Sequence, residues 1–247
     1  AEEVLWDALL TAVGPNWKLE IYFEILQMTI SKLEIQSVKK DIEICNELVN
    51  NGGDWEKKNK LKVYNGVVAI MTWEYKKASD YFLDSVATFS CSEFIDFWLF
   101  IFYTVLSSLV AQDRATLKAK VVHNPEILSV IWDIPNLKAY LESFFRCDYK
   151  TFYLNFCEVS DRIKKDKYFQ LNKNYLFYIK EMRLVAYKQF LESYKSVTIK
   201  SMAYNFGVSI EFIDKELSAF IAAGKLACVI DKVEGVIEST RGDKRVE

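Results

Sequence analysis

Glycine and proline, the residues that most often interrupt helices, supply only 8 and 3 of the 247 positions, well under half of their usual share. So few breaks leave room for long helices and exclude a collagen-like or low-complexity chain. Histidine is rarer still. His123 is alone, so no zinc site can be built on two imidazoles, and the side chain most used for proton transfer near neutral pH is almost missing. The cysteines at 45, 91, 147, 157 and 228 are nowhere closer than ten residues apart. That excludes CxxC zinc and redox spacings and leaves the odd, scattered set expected of reduced thiols in a cytosolic or nuclear protein.

An excess of positive charge is also missing, since 32 Lys and Arg face 34 Asp and Glu for a net charge of −2. No global field draws in a phosphate backbone or an anionic bilayer, so neither nucleic acid nor membrane is expected as a partner. The longest uncharged run, Phe97 to Ala111, holds 15 residues against the roughly 20 that span a bilayer. It reads as a helix buried on both sides. Glu2, Glu3 and Asp7 stand where a secretory leader would carry positive charge and an apolar run, so no targeting segment is expected.

What the chain does have is apolar content of 51%, aromatics at 15% and charge at 27%, enough for a sizeable core. From Trp17 the apolar residues recur at helical spacing, as in Leu19, Tyr22, Phe23, Leu26 and Ile30. The pattern predicts helices over 17–31, 35–50, 55–72, 74–89, 94–111, 125–132, 136–145 and 148–164. Asn51-Gly52-Gly53 would close the second of these and Asp54 cap the next. In the 74–89 helix, Ala78 lies one turn before Phe82, the small-then-aromatic spacing of tetratricopeptide-type repeats. No strict period recurs, so the expectation is an irregular, TPR-like helical-repeat solenoid over 1–170 and one long linking helix over 171–195.

After Lys195 the pattern changes. Thr198 can cap a short helix closed by Gly207, and Ser209 a second closed by Gly224. Two β-prone stretches follow, Leu226–Asp231 and Val233–Glu238, which complete a winged helix with a small β-hairpin over 196–240, ahead of a tail at 241–247. Alternation would turn Leu226, Cys228 and Ile230 into the core and leave Ala227, Val229 and Asp231 as interface candidates on the other face. The second helix carries Glu211, Asp214 and Glu216 against Lys215, a poor complement to phosphates. His123, in a loop before Asn124-Pro125, reads as solvated or capping, and the 161–167 charge run as a hydrated helix end. Gly52-Gly53 lacks any phosphate-cradling context. Trp55 is expected to pack into a joint between helix pairs, where its loss would cost about 3–5 kcal/mol. The residues offer no catalytic, cofactor or metal site.

A mainly α chain with a solenoid and then a winged helix resembles the PCI domain family, shared by subunits of the proteasome lid, the COP9 signalosome and translation initiation factor three. Particular segments resemble its proteasome-lid branch of seventh regulatory non-ATPase subunits. These are Gly52-Gly53-Asp54-Trp55, Asn59 to Tyr64, Phe82 to Val86, Phe206-Gly207-Val208, Glu211 to Asp214, Phe220 to Gly224 and Ile230-Asp231-Lys232. The likeness runs from about Lys18 to Glu238. Ala1 to Asn16 does not resemble the longer N-terminal arm usual there, and a helix that usually follows the wing is not represented by Glu247. The resemblance implies a non-catalytic scaffold of the regulatory particle lid, in cytoplasm and nucleus, assembled with other PCI subunits and with a small acidic lid subunit. A signalosome scaffold, a winged-helix nucleic-acid adaptor and an unrecognised hydrolase are the alternatives.

Overall fold

The computed structural model describes residues 2–239. In chain order these form α1 (Glu2–Thr11), α2 (Pro15–Lys32), α3 (Ile35–Asn50), α4 (Trp55–Met71), α5 (Tyr75–Ser85), α6 (Phe97–Ala111), α7 (Arg114–Leu117) and α8 (Pro125–Val130). Then come α9 (Leu137–Phe145), α10 (Tyr149–Lys165), α11 (Lys167–Gln170) and α12 (Asn174–Leu191). Last are β1 (Ser196–Thr198), α13 (Ile199–Phe206), α14 (Ile210–Ala222), β2 (Cys228–Asp231) and β3 (Val236–Ser239). The chain is mainly helical, with a small antiparallel sheet near its C-terminal end.

Two compact units divide the chain: up to Pro135 with Ile163–Tyr175, and Asn136–Arg162 with the chain from Leu176 onward. This division cuts across the expected 1–170, 171–195 and 196–240 segments, because 136–162 cluster with the winged helix. The expected tail at 241–247 lies outside the described residues.

In the first unit each of α2 to α6 packs on its neighbour in sequence, the arrangement of a helical repeat. The α6 helix is buried all round from Phe100 to Leu109, which explains its uncharged composition. In the second unit Phe206 of α13 anchors the core, with the rings of Tyr149 at 4.8 Å, Tyr187 at 5.1 Å and Phe190 at 5.6 Å. Edge-on and stacked aromatic pairs of this kind add to simple burial.

The scarcity of glycine has a structural counterpart. Gly207 (φ +66) and Gly224 (φ +68) close α13 and α14, and each closure bonds two successive amides back to the last turn. The same bond pair closes α2, α5's predecessor α4, and α9 around Leu33, Trp73 and Cys147, which take φ of 61, 66 and 61°. A left-handed non-glycine residue costs about 1–2 kcal/mol, which the flanking packing must offset.

Several expected boundaries change. The single helix over 171–195 is α12 alone, because Asn172 (φ 50°) and Lys173 (φ 56°) are left-handed and break it from the turn before. It stops at Leu191. The helix over 74–89 ends at Ser85 in a 3-10 turn, Val86–Thr88. A five-residue π-helical turn, Lys118–Val122, was not expected. Asp54 precedes α4 but makes no side-chain cap; its amide donates instead to Asn16 Oδ1 at 3.0 Å. The hairpin is a three-stranded sheet, since Ser196–Thr198 adds a strand to it.

Candidate functional site

The sheet has the order β1-β3-β2, antiparallel throughout. Among the described residues β3 is the central strand, so β2 and β1 are both edges. Thr198 and Ser209 hold the preceding helices in place by accepting from the Ser201 and Phe212 amides. Between β2 and β3 the turn is fixed by Asp231, whose Oδ1 accepts from the Val233 amide at 2.8 Å and the Glu234 amide at 3.2 Å.

The direction of each backbone group on β2 follows from the register. The Ser239 amide donates to Lys195 O, and the Ile199 amide to Gly235 O. Residues 235, 237 and 239 of the central strand therefore turn their amides and carbonyls towards β1. Alternation sends those of Val236 and Glu238 the other way, to their partners Asp231 and Val229. On β2 the ladder is thus made by Val229 and Asp231, while the amides and carbonyls of Cys228 and Ile230 face the open edge.

Side chains alternate in the complementary sense. Leu226 and Cys228 are buried, with Ile237 and Val197, while Val229 is 56% exposed and Ala227 and Asp231 are exposed too. The outer face of the sheet thus carries Ala227, Val229 and Asp231 beside Val236 and Glu238, with Ser196 and Thr198 beyond. None of its strand residues is basic. Under the inner face lies a cavity of about 230 Å³, floored by Val197, Leu226, Cys228 and Ile237 and rimmed by Lys188, Glu192 and Tyr194. Burial raises the Cys228 thiol above its ordinary pKa.

The other singled-out residues occupy different places. Trp55 is 68% exposed, which corrects the expectation of a buried joint. It is the first residue of α4, and side chains lean towards a helix N-terminus, so its ring projects past the end; burial on α4 begins at Asn59. Ala78 and Phe82 are both fully buried on α5, but the residue that makes room for the Phe82 ring is Gly66 of α4. His123 is exposed after the π-helical turn. The 161–167 run is not only a hydrated helix end. Asp166 caps α11 through the Tyr168 and Phe169 amides and accepts from the Tyr103 hydroxyl at 2.6 Å.

On α14, Glu216 Oε2 lies 2.7 Å from Arg183 Nε and Asp214 Oδ2 lies 3.7 Å from Lys232 Nζ. Two of its three carboxylates are thus engaged within the unit. Among the described residues no three His, Cys, Asp or Glu side chains gather as metal ligands, and no helix is long and apolar enough to cross a membrane.

Sequence reasoning missed the outward backbone groups of Cys228 and Ile230. Alternation places side chains but does not say which amides are already paired. That required β1, whose only sequence signal is the β-branched pair Val197-Thr198.

Residues 1–120 match the family model described as 26S proteasome subunit RPN7, and residues 150–241 match the PCI domain. The chain is 48% identical over 241 residues to a 26S proteasome non-ATPase regulatory subunit 6 homolog of Arabidopsis thaliana, covering 98% of this chain and 61% of that protein. It is 36% identical over 248 residues to the 26S proteasome regulatory subunit rpn7 of Schizosaccharomyces pombe, covering 99% and 61%. To COP9 signalosome complex subunit 1 of Arabidopsis thaliana it is 24% identical over 188 residues, covering 75% and 42%. The chain spans about three fifths of the length of the proteasome relatives it matches. The chain thus joins an Rpn7-type part over residues 1–120 to a PCI domain over residues 150–241, the part that holds the winged helix.

Proposed function

We propose that the chain acts as a non-catalytic scaffold in the lid of the 26S proteasome regulatory particle, in ubiquitin-dependent protein degradation. In this reading it joins neighbouring PCI subunits of a hetero-oligomer through the β2 edge. The observation that carries it is the outward-facing backbone of Cys228 and Ile230, half of a strand ladder that no described strand fills, in a chain that matches the RPN7 and PCI family models. Main-chain pairing along such an edge supplies affinity, and the side chains on either face supply selectivity. Ala227, Val229 and Asp231 are the outer-face residues of this interface.

Arg114, Lys118 and Lys120 are exposed within a few residues of one another, a local cationic stretch that suits a small acidic lid subunit. Cytoplasm and nucleus are the compartments that suit a proteasome subunit whose cysteines are odd in number and scattered along the sequence. A signalosome role is the weaker reading because that relative is far less similar. A nucleic-acid adaptor would have to present α14, which sets three carboxylates against one lysine and so offers phosphate no excess of positive charge.

Affinity purification of the tagged chain followed by mass spectrometry tests the proposal. Lid subunits in the eluate are the expected result, and their loss in Val229→Lys at unchanged thermal stability would locate the contact. Signalosome subunits, or nucleic acid released by salt, would overturn the lid assignment.

A further inference from the structure

The chemistry of the two faces beside β2 constrains what can pair there. A strand added to this edge would lie about 4.8 Å from β2 and point its residues alternately to the two sides of the sheet. On the outer side it meets Asp231 directly and Glu238 one strand further, about 10 Å away. Between them stand Val229 and Val236, with Ala227 beyond Val229, and no strand residue of that face is basic. On the inner side its nearest side chains are the buried Leu226 and Cys228, which also line the cavity of about 230 Å³ whose rim carries Lys188, Glu192 and Lys225.

A second copy of the chain fits poorly. Its own β2 would bring another Asp231 and Glu238 to the same face with no basic strand residue of that face to answer them. An opposite-charge cross-strand pair is favourable and a like-charge one unfavourable. Lysine and arginine stems can also lie along Val229 while the charged head reaches a carboxylate.

We infer that the strand accepted by this edge alternates apolar side chains, directed to the cavity under Cys228, with basic side chains directed to Asp231 and Glu238. The inference rests on the docking reading above and names the chemistry of the partner strand.

Two peptides test it on the full, isotope-labelled chain. Both are seven-residue strands with leucine at alternate positions; one has lysine between the leucines and the other glutamate. The amide resonances of Cys228 and Ile230 report docking. The lysine peptide is expected to shift both and to bind roughly fivefold or more tightly than the glutamate peptide. That preference should shrink towards parity in the Asp231→Asn/Glu238→Gln variant, in which the asparagine retains the oxygen that holds the Val233 and Glu234 amides. Equal affinity of the two peptides for the parent chain would overturn the inference and leave the docking reading standing. Silence of the Cys228 and Ile230 amides with both peptides would overturn the docking reading and the inference together. Sedimentation showing a dimer that Ile230→Pro dissolves would also overturn it, by making a second copy the occupant.

Discussion

The ring of Phe82 lies against the backbone of Gly66: a Cβ built on Gly66 would stand 2.3 Å from Phe82 Cε1 and 2.7 Å from Cδ1. The absence of one methyl group on α4 is what lets α5 seat its aromatic residue, which in turn meets Phe100 of α6 edge-on at 5.4 Å. Three successive helices are thus tied through a single glycine.

Gly66→Ala is therefore expected to destabilise the chain although alanine is the better helix former by about 1 kcal/mol. Overpacking a rigid ring costs about 1–3 kcal/mol, so the net loss should be up to about 2 kcal/mol. Urea unfolding would measure it, and Phe82→Leu in the same chain should recover part of the loss.

Asn174 is fully buried at the start of α12. Its side chain accepts from the Tyr75 hydroxyl and donates to the Ile70 carbonyl. Tyr75→Phe removes the donor and leaves a buried carbonyl oxygen without a partner, a cost of about 1–3 kcal/mol. The thermal midpoint should fall accordingly, whereas a solvated tyrosine would give no change.

Asp41 is 7% exposed on α3, with Thr29 Oγ1 3.5 Å from its Oδ2. Burial raises its pKa, and the Thr29 bond only partly opposes this. The folded chain consequently holds the proton more tightly than the unfolded one. Stability from this group falls as pH rises from the ordinary carboxylate range, about 4, through the raised value. Asp41→Asn should unfold at a higher temperature than the parent at neutral pH, and the gap should close as the pH drops towards 4. A gap that widened on acidification would show that the carboxylate is stabilised by the fold.

The phase of the β2 backbone gives a paired test. Ile230→Pro deletes an amide that faces the open edge, so the fold should persist while co-purification of partners is lost. Val229→Pro deletes an amide of the ladder to Glu238 and should itself destabilise the winged helix. Circular-dichroism melts of both variants, read beside the pull-down, distinguish the two. Similar melting losses for both would refute the assigned phase.

Trp55→Ala should move stability by no more than about 0.5 kcal/mol, as for other exposed positions. A large drop in the melting midpoint would restore the buried reading.

Much of the helical order was legible because its signals are local. Ile35 to Asn50 was bounded by an apolar stripe and the Gly52-Gly53 break, and the caps Thr198 and Ser209 lie where the hydroxyl spacing put them. Non-local features were not legible. Leu33, Trp73 and Cys147 close helices in a conformation their residue types disfavour, fixed by main-chain bonds back to the last turn that residue type does not announce. β1 is three residues long, too short for a period to register, and without it the edge of the sheet could not be phased. Trp55 looked like core because large aromatics usually are, but its place in the first turn of α4 decided otherwise.

Cys228 and Ile230 present their peptide groups outward and their side chains inward, so contact through them is indifferent to side-chain identity. An alanine scan of β2 would record their contribution as core stability and pass over the recognition proposed for their peptide groups. On the docking reading, the side chains at these two positions would for the same reason say nothing of which proteins pair with the strand. Subunits with unrelated residues at these two positions could share one docking geometry, and discrimination among them would fall to the outer face and the Asp231 turn.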